Sequence, residues 1–188
     1  SGFELFHKDG DFDAPNTWHS FGTAIGSLAS MVKSNKNTQI SNDVRPGSTG
    51  SHSALITSNK ILWVIANGTM ATGRMVAGAY SASDPKNHAE IDPSSTDRDT
   101  NGDPFYATIT GKPDSLAVWV KFIQGKPNAS HPYATVSAAI TDGTKYQDPE
   151  DKTYNNIMAK AKNNKITTNG GNWQRIVIPF DYVNKSIV

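Results

Sequence analysis

The alternation of apolar residues in PDSLAVWVKFIQG, residues 113–125, is the feature that most constrains the fold of this chain. Successive side chains of a β-strand point to opposite faces of a sheet, so a period of two separates two surfaces. One face would carry Leu116, Val118, Val120 and Phe122, and the other Ala117, Trp119, Lys121 and Ile123. The first face is predicted to be core. The second combines a Trp with a Lys and suits a partly solvated surface.

Short β-branched and aromatic runs bounded by Gly, Pro, Asn and Asp recur along the chain, which is typical of an all-β sandwich or barrel. The predicted strands lie near residues 53–57, 60–66, 74–79, 106–110, 115–123, 133–140, 157–161 and 172–179. A helix competes with the strand at 157–161, and we favour the strand because its neighbours are strands. We also expect hairpin turns at Asn67-Gly68 and Asp142-Gly143, and a long polar connection over residues 81–105.

Composition limits the classes of partner. The 188 residues suit one domain, 1–188, that can bury a full core without disulfides or metals. The 18 basic and 17 acidic residues are scattered and give a net charge of +1, so we expect no nucleic acid and no anionic membrane as a partner. Cysteine is absent, which excludes thiol chemistry and leaves the compartment open. No apolar run is long enough for a transmembrane segment.

Two predicted strands place an aromatic ring and a basic group on one face, and this pattern suggests a sugar-binding surface. Trp119 and Lys121 share a face of the first strand, and Trp173 and Arg175 share a face of the second. An aromatic plane can stack on a pyranose ring while Arg bonds its hydroxyls or an acidic sugar's carboxylate. We add Arg74 of GRMVAG to this candidate ligand-binding set. The alternative is that each Trp completes the edge of the core.

A family resemblance rests on the order of several segments between Asp11 and Tyr182. These are TWHSFGTAIGS, DVRPGSTGSHSALI, ILWVIANGTMATGRMVAG, ITGKPDSLAVWVKF, ATVSAAITDGTKY and GNWQRIVIPFDY. In this order they resemble the bacterial carbohydrate metabolism domain family. The part of the match that is most specific to this family is ANGTMATGRM after RPGSTGSHS.

The resemblance implies an antiparallel β-sandwich of jelly-roll type, similar to carbohydrate-binding modules and often labelled a glycoside hydrolase. It implies an oligosaccharide or polysaccharide ligand and a secreted or cell-envelope location, in the periplasm or on the outer-membrane surface of a bacterium. In such sandwiches two further strands follow the segment WQRIVIPFDY. We therefore expect that the natural domain continues beyond Val188, and that without those strands an open sheet edge could accept a partner strand.

Metal sites receive weak support from the sequence. DRDTNGD places Asp97, Asp99 and Asn101 like the first half of a calcium loop, but Thr108 stands where a bidentate Glu is required, which favours a solvated turn. The family resemblance offers a structural calcium held by Glu4, Asp11, Asp13 and Asp181. We favour the prediction that the chain has no metal site and no cofactor.

Three functions remain open: a glycan-binding module, a glycoside hydrolase, and an assembly domain completed by a partner strand. Hydrolysis would need two carboxyl groups across the scissile bond. The three Glu residues lie at a terminus or in loops, and most Asp residues lie in turns. No elbow motif for a nucleophilic Ser and no HExxH motif is present, so the catalytic residues are unknown and the enzyme class rests on the resemblance alone.

Overall fold

The computed structural model describes residues 2–126, 130 and 132–183. Within them the chain is all-β and antiparallel, as the sequence predicts, with only a short α-helix at Ala29–Val32 and 3₁₀ turns at Phe21–Thr23 and Asn169–Gly171. The strands are β1 (Phe6–Asp9), β2 (Phe12–Pro15), β3 (Thr38–Ser41), β4 (Ser53–Ile56), β5 (Asn59–Ile61), β6 (Val64–Ala66), β7 (Arg74–Ala77), β8 (Asn87–Ile91), β9 (Ser115–Val120), β10 (Ala134–Thr141), β11 (Tyr146–Asp148), β12 (Ile157–Ile166), β13 (Gln174–Pro179) and β14 (Asp181–Tyr182).

The strands form small open sheets. Their orders are β1-β2, β3-β4, β5-β6, β11-β8-β7, β13-β9 and β10-β12-β14. None of these sheets closes on itself within the described residues, and the jelly-roll arrangement stays a prediction. In the same part of the chain, no helix has the length and apolar character needed to cross a bilayer.

Contacts divide the chain into two compact units. The first unit comprises Ser1–Val44, Ser48–Ile109 and Gly143–Tyr154, and the second comprises Arg45–Gly47, Thr110–Asp142 and Asn155–Val188. The first contains β1 to β8 and β11, and the second contains β9, β10 and β12 to β14. The prediction of a single domain over 1–188 stays a prediction.

The first unit begins with a tight hairpin of β1 and β2. The strands pair from Phe6 opposite Pro15 to Asp9 opposite Phe12, and Gly10 takes the left-handed conformation (φ 61°) that the turn requires. Because side chains alternate along β1, His7 and Asp9 point to the same side, whereas Lys8 is exposed and pairs with Asp13. The hairpin therefore carries one ionisable face into the interior of its unit.

Small and aromatic apolar residues fill the rest of this interior. The buried members are Phe12, Ala14, Ala24, Met75, Ala77, Phe105 and Tyr146. The central strand of the three-stranded sheet, β8, lies inside the predicted polar connection of residues 81–105. The sequence prediction missed it because NHAEI carries two ionisable side chains, and the pairing with β7 and β11 outweighs this weak strand composition.

The second unit confirms the predicted alternation. In β9 and β13, Leu116, Val118, Ile176 and Ile178 turn inward, whereas Ala117, Trp119, Arg175 and Val177 are exposed. The long strand β12 pairs with β10 over most of its length, which settles the competition at 157–161 in favour of the strand. Ala159, Ala161 and Ile166 of β12 are buried together with Ile178.

Two predicted strands and both predicted hairpin turns are wrong. Residues 60–66 form the β5–β6 hairpin instead of one strand, because Leu62 adopts a positive φ of 53° and reverses the chain. Residues 106–110 form no strand. The chain reverses at Leu62 and Trp63, so Asn67-Gly68 follows the hairpin and does not form its turn. Gly143 does have the expected positive φ of 92°, but β10 and β11 pair with other strands, so no hairpin forms there.

Candidate functional site

The exposed face of the β9–β13 pair brings Trp119 and Arg175 together. These residues are direct cross-strand partners, and both side chains point away from the core. The exposed fraction of Trp119 is 44%. Cross-strand neighbours are about 5 Å apart at their Cβ atoms, so one ligand can touch both side chains.

A second guanidinium lies against the same Trp. The Arg45 Cζ atom is 5.1 Å from the centre of the Trp119 ring, within the range of a cation–π contact. Arg45 and Trp119 both belong to the second unit. The aromatic surface is therefore accompanied by two cations, Arg45 over the ring and Arg175 beside it on the neighbouring strand.

The other three predicted binding residues are placed differently. Lys121 follows the end of β9, Trp173 precedes β13, and both are half-buried. Arg74 lies on β7 of the first unit, where its Nη1 donates a hydrogen bond to Asp97 Oδ2 at 2.7 Å. Its guanidinium also lies 4.2 Å from the centre of the Phe105 ring. Arg74 therefore has an anionic and an aromatic partner within its own unit.

Sequence reasoning missed an exposed aromatic pair, Trp63 and Tyr80, in the first unit. The two rings are stacked, with centres 6.1 Å apart and planes 24° apart, and the exposed fractions are 73% and 52%. Trp63 lies at the β5–β6 turn, and the prediction of one continuous strand over 60–66 concealed that turn. A correct hairpin prediction there would have placed this Trp at a solvent-exposed tip.

A buried cluster of His and Asp side chains lies where the β1–β2 hairpin meets the loop before Phe105. His7 Nε2 is 3.3 Å from Asp9 Oδ2 and 3.0 Å from Asp99 Oδ2, and His19 Nδ1 is 3.4 Å from the same Asp99 oxygen. The side chains of Asp9, His19 and Asp99 are fully buried, and that of His7 is 9% exposed. His7, Asp9 and Asp99 present ligand atoms that all lie within 4.8 Å of one another, as a bound metal ion would require.

The surroundings hold the members of this cluster in place. Backbone hydrogen bonds between His19 and Ala71 fix the segment that carries His19. Burial lowers the pKa of His19, and this effect outweighs the raising effects of the Pro104 carbonyl and the nearby carboxylates. The Phe105 ring covers the imidazole, with centres 4.5 Å apart. The His19 imidazole is therefore packed against the core, where burial disfavours its charged form.

The calcium candidates of the sequence have other partners. Asp97 binds Arg74, and Asn101 donates its side-chain N–H to Asp103. Glu4 accepts hydrogen bonds from the backbone N–H groups of Ser51 and His52. A Cβ at Gly50 would meet the Glu4 carboxylate, which would have to shift away from its present hydrogen bonds.

The remaining members of the resemblance-based calcium set have their own surroundings. Asp13 pairs with Lys8, and Asp11 lies 3.9 Å from Lys36. Asp181 is exposed on β14 of the second unit.

A cavity of about 390 Å³ in the first unit contains two carboxylates. Glu90 accepts a hydrogen bond from Lys145 at 2.9 Å, which raises the pKa of that lysine. Asp151 accepts one from the Tyr154 hydroxyl at 2.9 Å; burial and this bond raise the pKa of Tyr154 to about 12. Each carboxylate accepts a hydrogen bond from a neighbouring side chain, and hydrolysis would require one of them to act as the acid and the other as nucleophile or base.

No family model, curated protein sequence or solved structure matches the chain. The class defined by the fold is thus an all-β antiparallel protein. The family resemblance remains an expectation.

Proposed function

We propose that this chain is a jelly-roll β-sandwich domain of a secreted or envelope-anchored bacterial protein, and that it binds glycans non-covalently. The observation that carries the proposal is the exposure of Trp119 directly opposite Arg175 on one face of the β9–β13 pair. An exposed Trp provides an apolar plane for a pyranose ring, and an adjacent guanidinium provides paired donors for its oxygen atoms.

The charges around Trp119 favour an acidic glycan. Arg45 and Arg175 bring two positive charges to one aromatic ring. Guanidinium groups form bidentate hydrogen bonds with carboxylates, so sugars that carry a uronic acid would gain more than neutral sugars. Binding to this exposed face should therefore weaken as the salt concentration rises.

A glycan array with acidic and neutral oligosaccharides, followed by calorimetric titration of the best ligand, tests the proposal. Trp119→Ala and Arg175→Ala should each weaken binding about tenfold or more, which corresponds to about 1.4 kcal/mol. Trp63→Ala and Tyr80→Ala are matched controls, because they remove rings of the first unit that are more exposed than Trp119. They should leave the affinity unchanged.

Other results would overturn this proposal. Binding that survives Trp119→Ala but is lost in Trp63→Ala would move the site to the β5–β6 turn. Release of reducing ends from a bound glycan would support a hydrolase, with the Glu90 and Asp151 cavity as the first place to look. If no glycan binds and a peptide adds a strand to the β9–β13 pair, the assembly function holds; that pair has no third strand among the described residues.

A further inference from the structure

We propose that His7 Nε2, Asp9 Oδ2 and Asp99 Oδ2 hold one divalent transition-metal ion of the zinc class with a structural role, and that His19 Nδ1 becomes the fourth ligand when the ion binds. His19 Nδ1 lies 3.4 Å from Asp99 Oδ2 but outside the group of three ligand atoms that lie within 4.8 Å of one another, so it must shift toward them to reach the ion. The proposal is independent of glycan binding, which concerns side chains of the other unit.

These same four atoms are buried without a hydrogen-bond partner in the described part of the chain. A buried polar atom without a partner loses its hydration and gains nothing in return, which destabilises the folded state. Four such atoms in one place require a common explanation. A cation that accepts an electron pair from each of them supplies one.

The hydrogen bonds of the two imidazoles leave the correct nitrogen atoms free. His7 Nδ1 lies 3.2 Å from Asn16 Oδ1, and His19 Nε2 lies 3.1 Å from the Pro104 carbonyl oxygen. Both partners are acceptors, so these ring nitrogens carry the protons and donate them. The lone pairs are then on His7 Nε2 and His19 Nδ1, which face the carboxylates. Metal-binding histidines are typically oriented by such a bond from their other nitrogen.

The two carboxylates are fixed in the same manner. Asp9 Oδ1 accepts a hydrogen bond from the Thr100 hydroxyl at 2.8 Å. Asp99 Oδ1 accepts two, from the backbone N–H groups of Asn101 and Asp103 at 2.9 and 2.8 Å. In each carboxylate one oxygen is thus occupied, and the other points into the cluster.

The distances match the edges of a metal coordination sphere. Zinc binds His nitrogen and carboxylate oxygen at about 2.0–2.1 Å, so two ligand atoms at the tetrahedral angle are about 3.3–3.4 Å apart. The separations from His7 Nε2 to Asp9 Oδ2 and Asp99 Oδ2 are 3.3 and 3.0 Å, and His19 Nδ1 is 3.4 Å from Asp99 Oδ2. The three atoms of His7, Asp9 and Asp99 all lie within 4.8 Å of one another, whereas His19 must move closer to the other two to share the ion. A direct hydrogen bond could span these distances, but none of the three contacts has the geometry of one.

The ligand chemistry selects the class of ion. Calcium and magnesium take oxygen ligands, whereas two imidazoles with two carboxylates suit zinc and neighbouring transition metals. One divalent cation also balances the two negative charges of Asp9 and Asp99, which would otherwise repel each other in a buried site.

Burial of the four side chains indicates a structural site. A catalytic zinc keeps one coordination position open to water or substrate, whereas a structural site is closed by four protein ligands. The ion would join strand β1, the segment around His19 and the loop that carries Asp99. These segments are far apart in sequence, and the loop contains no strand of its own.

Metal analysis of the tag-free chain tests the proposal. After exposure to Zn²⁺ and dialysis, we expect one zinc per chain by mass spectrometry. At free Zn²⁺ a hundredfold above the dissociation constant, the melting temperature should rise by about 5–10 °C, whereas Ca²⁺ should not change it. X-ray absorption should show nitrogen and oxygen at about 2.0–2.1 Å together with imidazole scattering.

Variants locate the ion. Asp99→Asn and His7→Gln should lose the stoichiometric zinc, and the matched controls Asp11→Asn and His52→Gln should retain it. If a cluster variant does not fold, the wild-type stoichiometry, melting shift and absorption spectrum still decide the question. The proposal is overturned if the wild-type chain binds no zinc, if Ca²⁺ stabilises it and Zn²⁺ does not, or if the control variants lose the ion and the cluster variants keep it.

Discussion

The buried His/Asp cluster and the β9–β13 face depart from the usual distribution of residues in opposite directions. The cluster removes four ionisable side chains from water, whereas the face leaves a Trp in contact with it. Buried polar groups and exposed large apolar groups are the informative exceptions to hydrophobic burial. A buried polar group needs a partner within the molecule, whereas an exposed large apolar group can be covered by a ligand. Changes in the cluster should therefore affect stability, and changes on the face should affect binding.

The largest expected effect is that of Asp99→Asn measured with Zn²⁺ present. Replacing a buried anionic ligand leaves its cationic partner uncompensated, so the free energy of unfolding should fall by about 3–5 kcal/mol in urea titrations. In a chelator the loss should shrink, because the substitution then removes repulsion between two carboxylates. Equal losses in both conditions would mean that no ion is involved. Asp97→Asn in the same loop should cost less than about 1 kcal/mol, since its pair with Arg74 is exposed.

Two neighbouring residues of β13 lie on opposite sides of the strand, one in the core and one on the exposed face. Ile178 is 7% exposed, and Ile178→Ala should lower the free energy of unfolding by about 2–4 kcal/mol because it leaves a cavity. Val177 is exposed on the opposite side, and Val177→Ala should cost less than about 1 kcal/mol. Similar losses at both positions would contradict the assignment of faces. Thermal or chemical unfolding of the two variants makes the comparison.

Thr100→Val tests whether the hydrogen bond from Thr100 holds Asp9 in place, and it leaves all proposed metal ligands intact. Its hydroxyl donates to Asp9 Oδ1 and also lies within hydrogen-bonding distance of the Lys8 carbonyl oxygen. Loss of these contacts should lower the free energy of unfolding by about 1–2 kcal/mol and weaken zinc binding about 10–100-fold. Competition with a coloured chelator measures the second effect. Unchanged zinc affinity would show that Asp9 is held by other groups.

The smallest effect on the free energy of unfolding is expected for Lys145→Gln. Lys145 belongs neither to the buried His/Asp cluster nor to the β9–β13 face. The hydrogen bond with Glu90 raises the pKa of Lys145, so the pair stabilises the folded state below the unfolded pKa of about 10.4. This contribution is lost as the pH rises through the higher folded pKa. Because Lys145 is more than half exposed, it should amount to less than about 0.5 kcal/mol. Unfolding curves of both proteins should therefore converge once the pH exceeds the raised pKa of Lys145; a difference that stays constant with pH would contradict the assignment.

Period-two alternation predicted β9, β10 and β13 and the first half of β12 in the second unit, but not the rest of β12 and not β14. In the predicted parts an apolar face recurs at every second residue, and the face assignment of Trp119 and Arg175 follows from it. In β1 and β8 the residues that face inward include His and Glu, so hydrophobic pattern alone gives no strand there. β1 forms by pairing with β2 across the Gly10 turn, and β8 forms by pairing with β7 and β11 on either side.

The cluster was hidden for a related reason. His7 and Asp9 are two residues apart on a strand that was not predicted, and His19 and Asp99 lie in irregular segments. The sequence did single out Asp99, but as part of a calcium-like pattern with Asp97 and Asn101, which instead bind Arg74 and Asp103. The usable signal was His-x-Asp alternation in FHKD directly before a Gly turn.

Arg98 immediately precedes the buried Asp99. Trypsin cleavage after Arg98 therefore reports local opening of the loop before Phe105. Arg98 is exposed, but the peptide bond that trypsin would cleave joins it to Asp99, whose side chain is fully buried. A protease must draw several residues of extended chain into its cleft, so cleavage after Arg98 requires Asp99 to leave the interior. The rate of this single cut therefore measures how often the loop detaches from the β1–β2 hairpin.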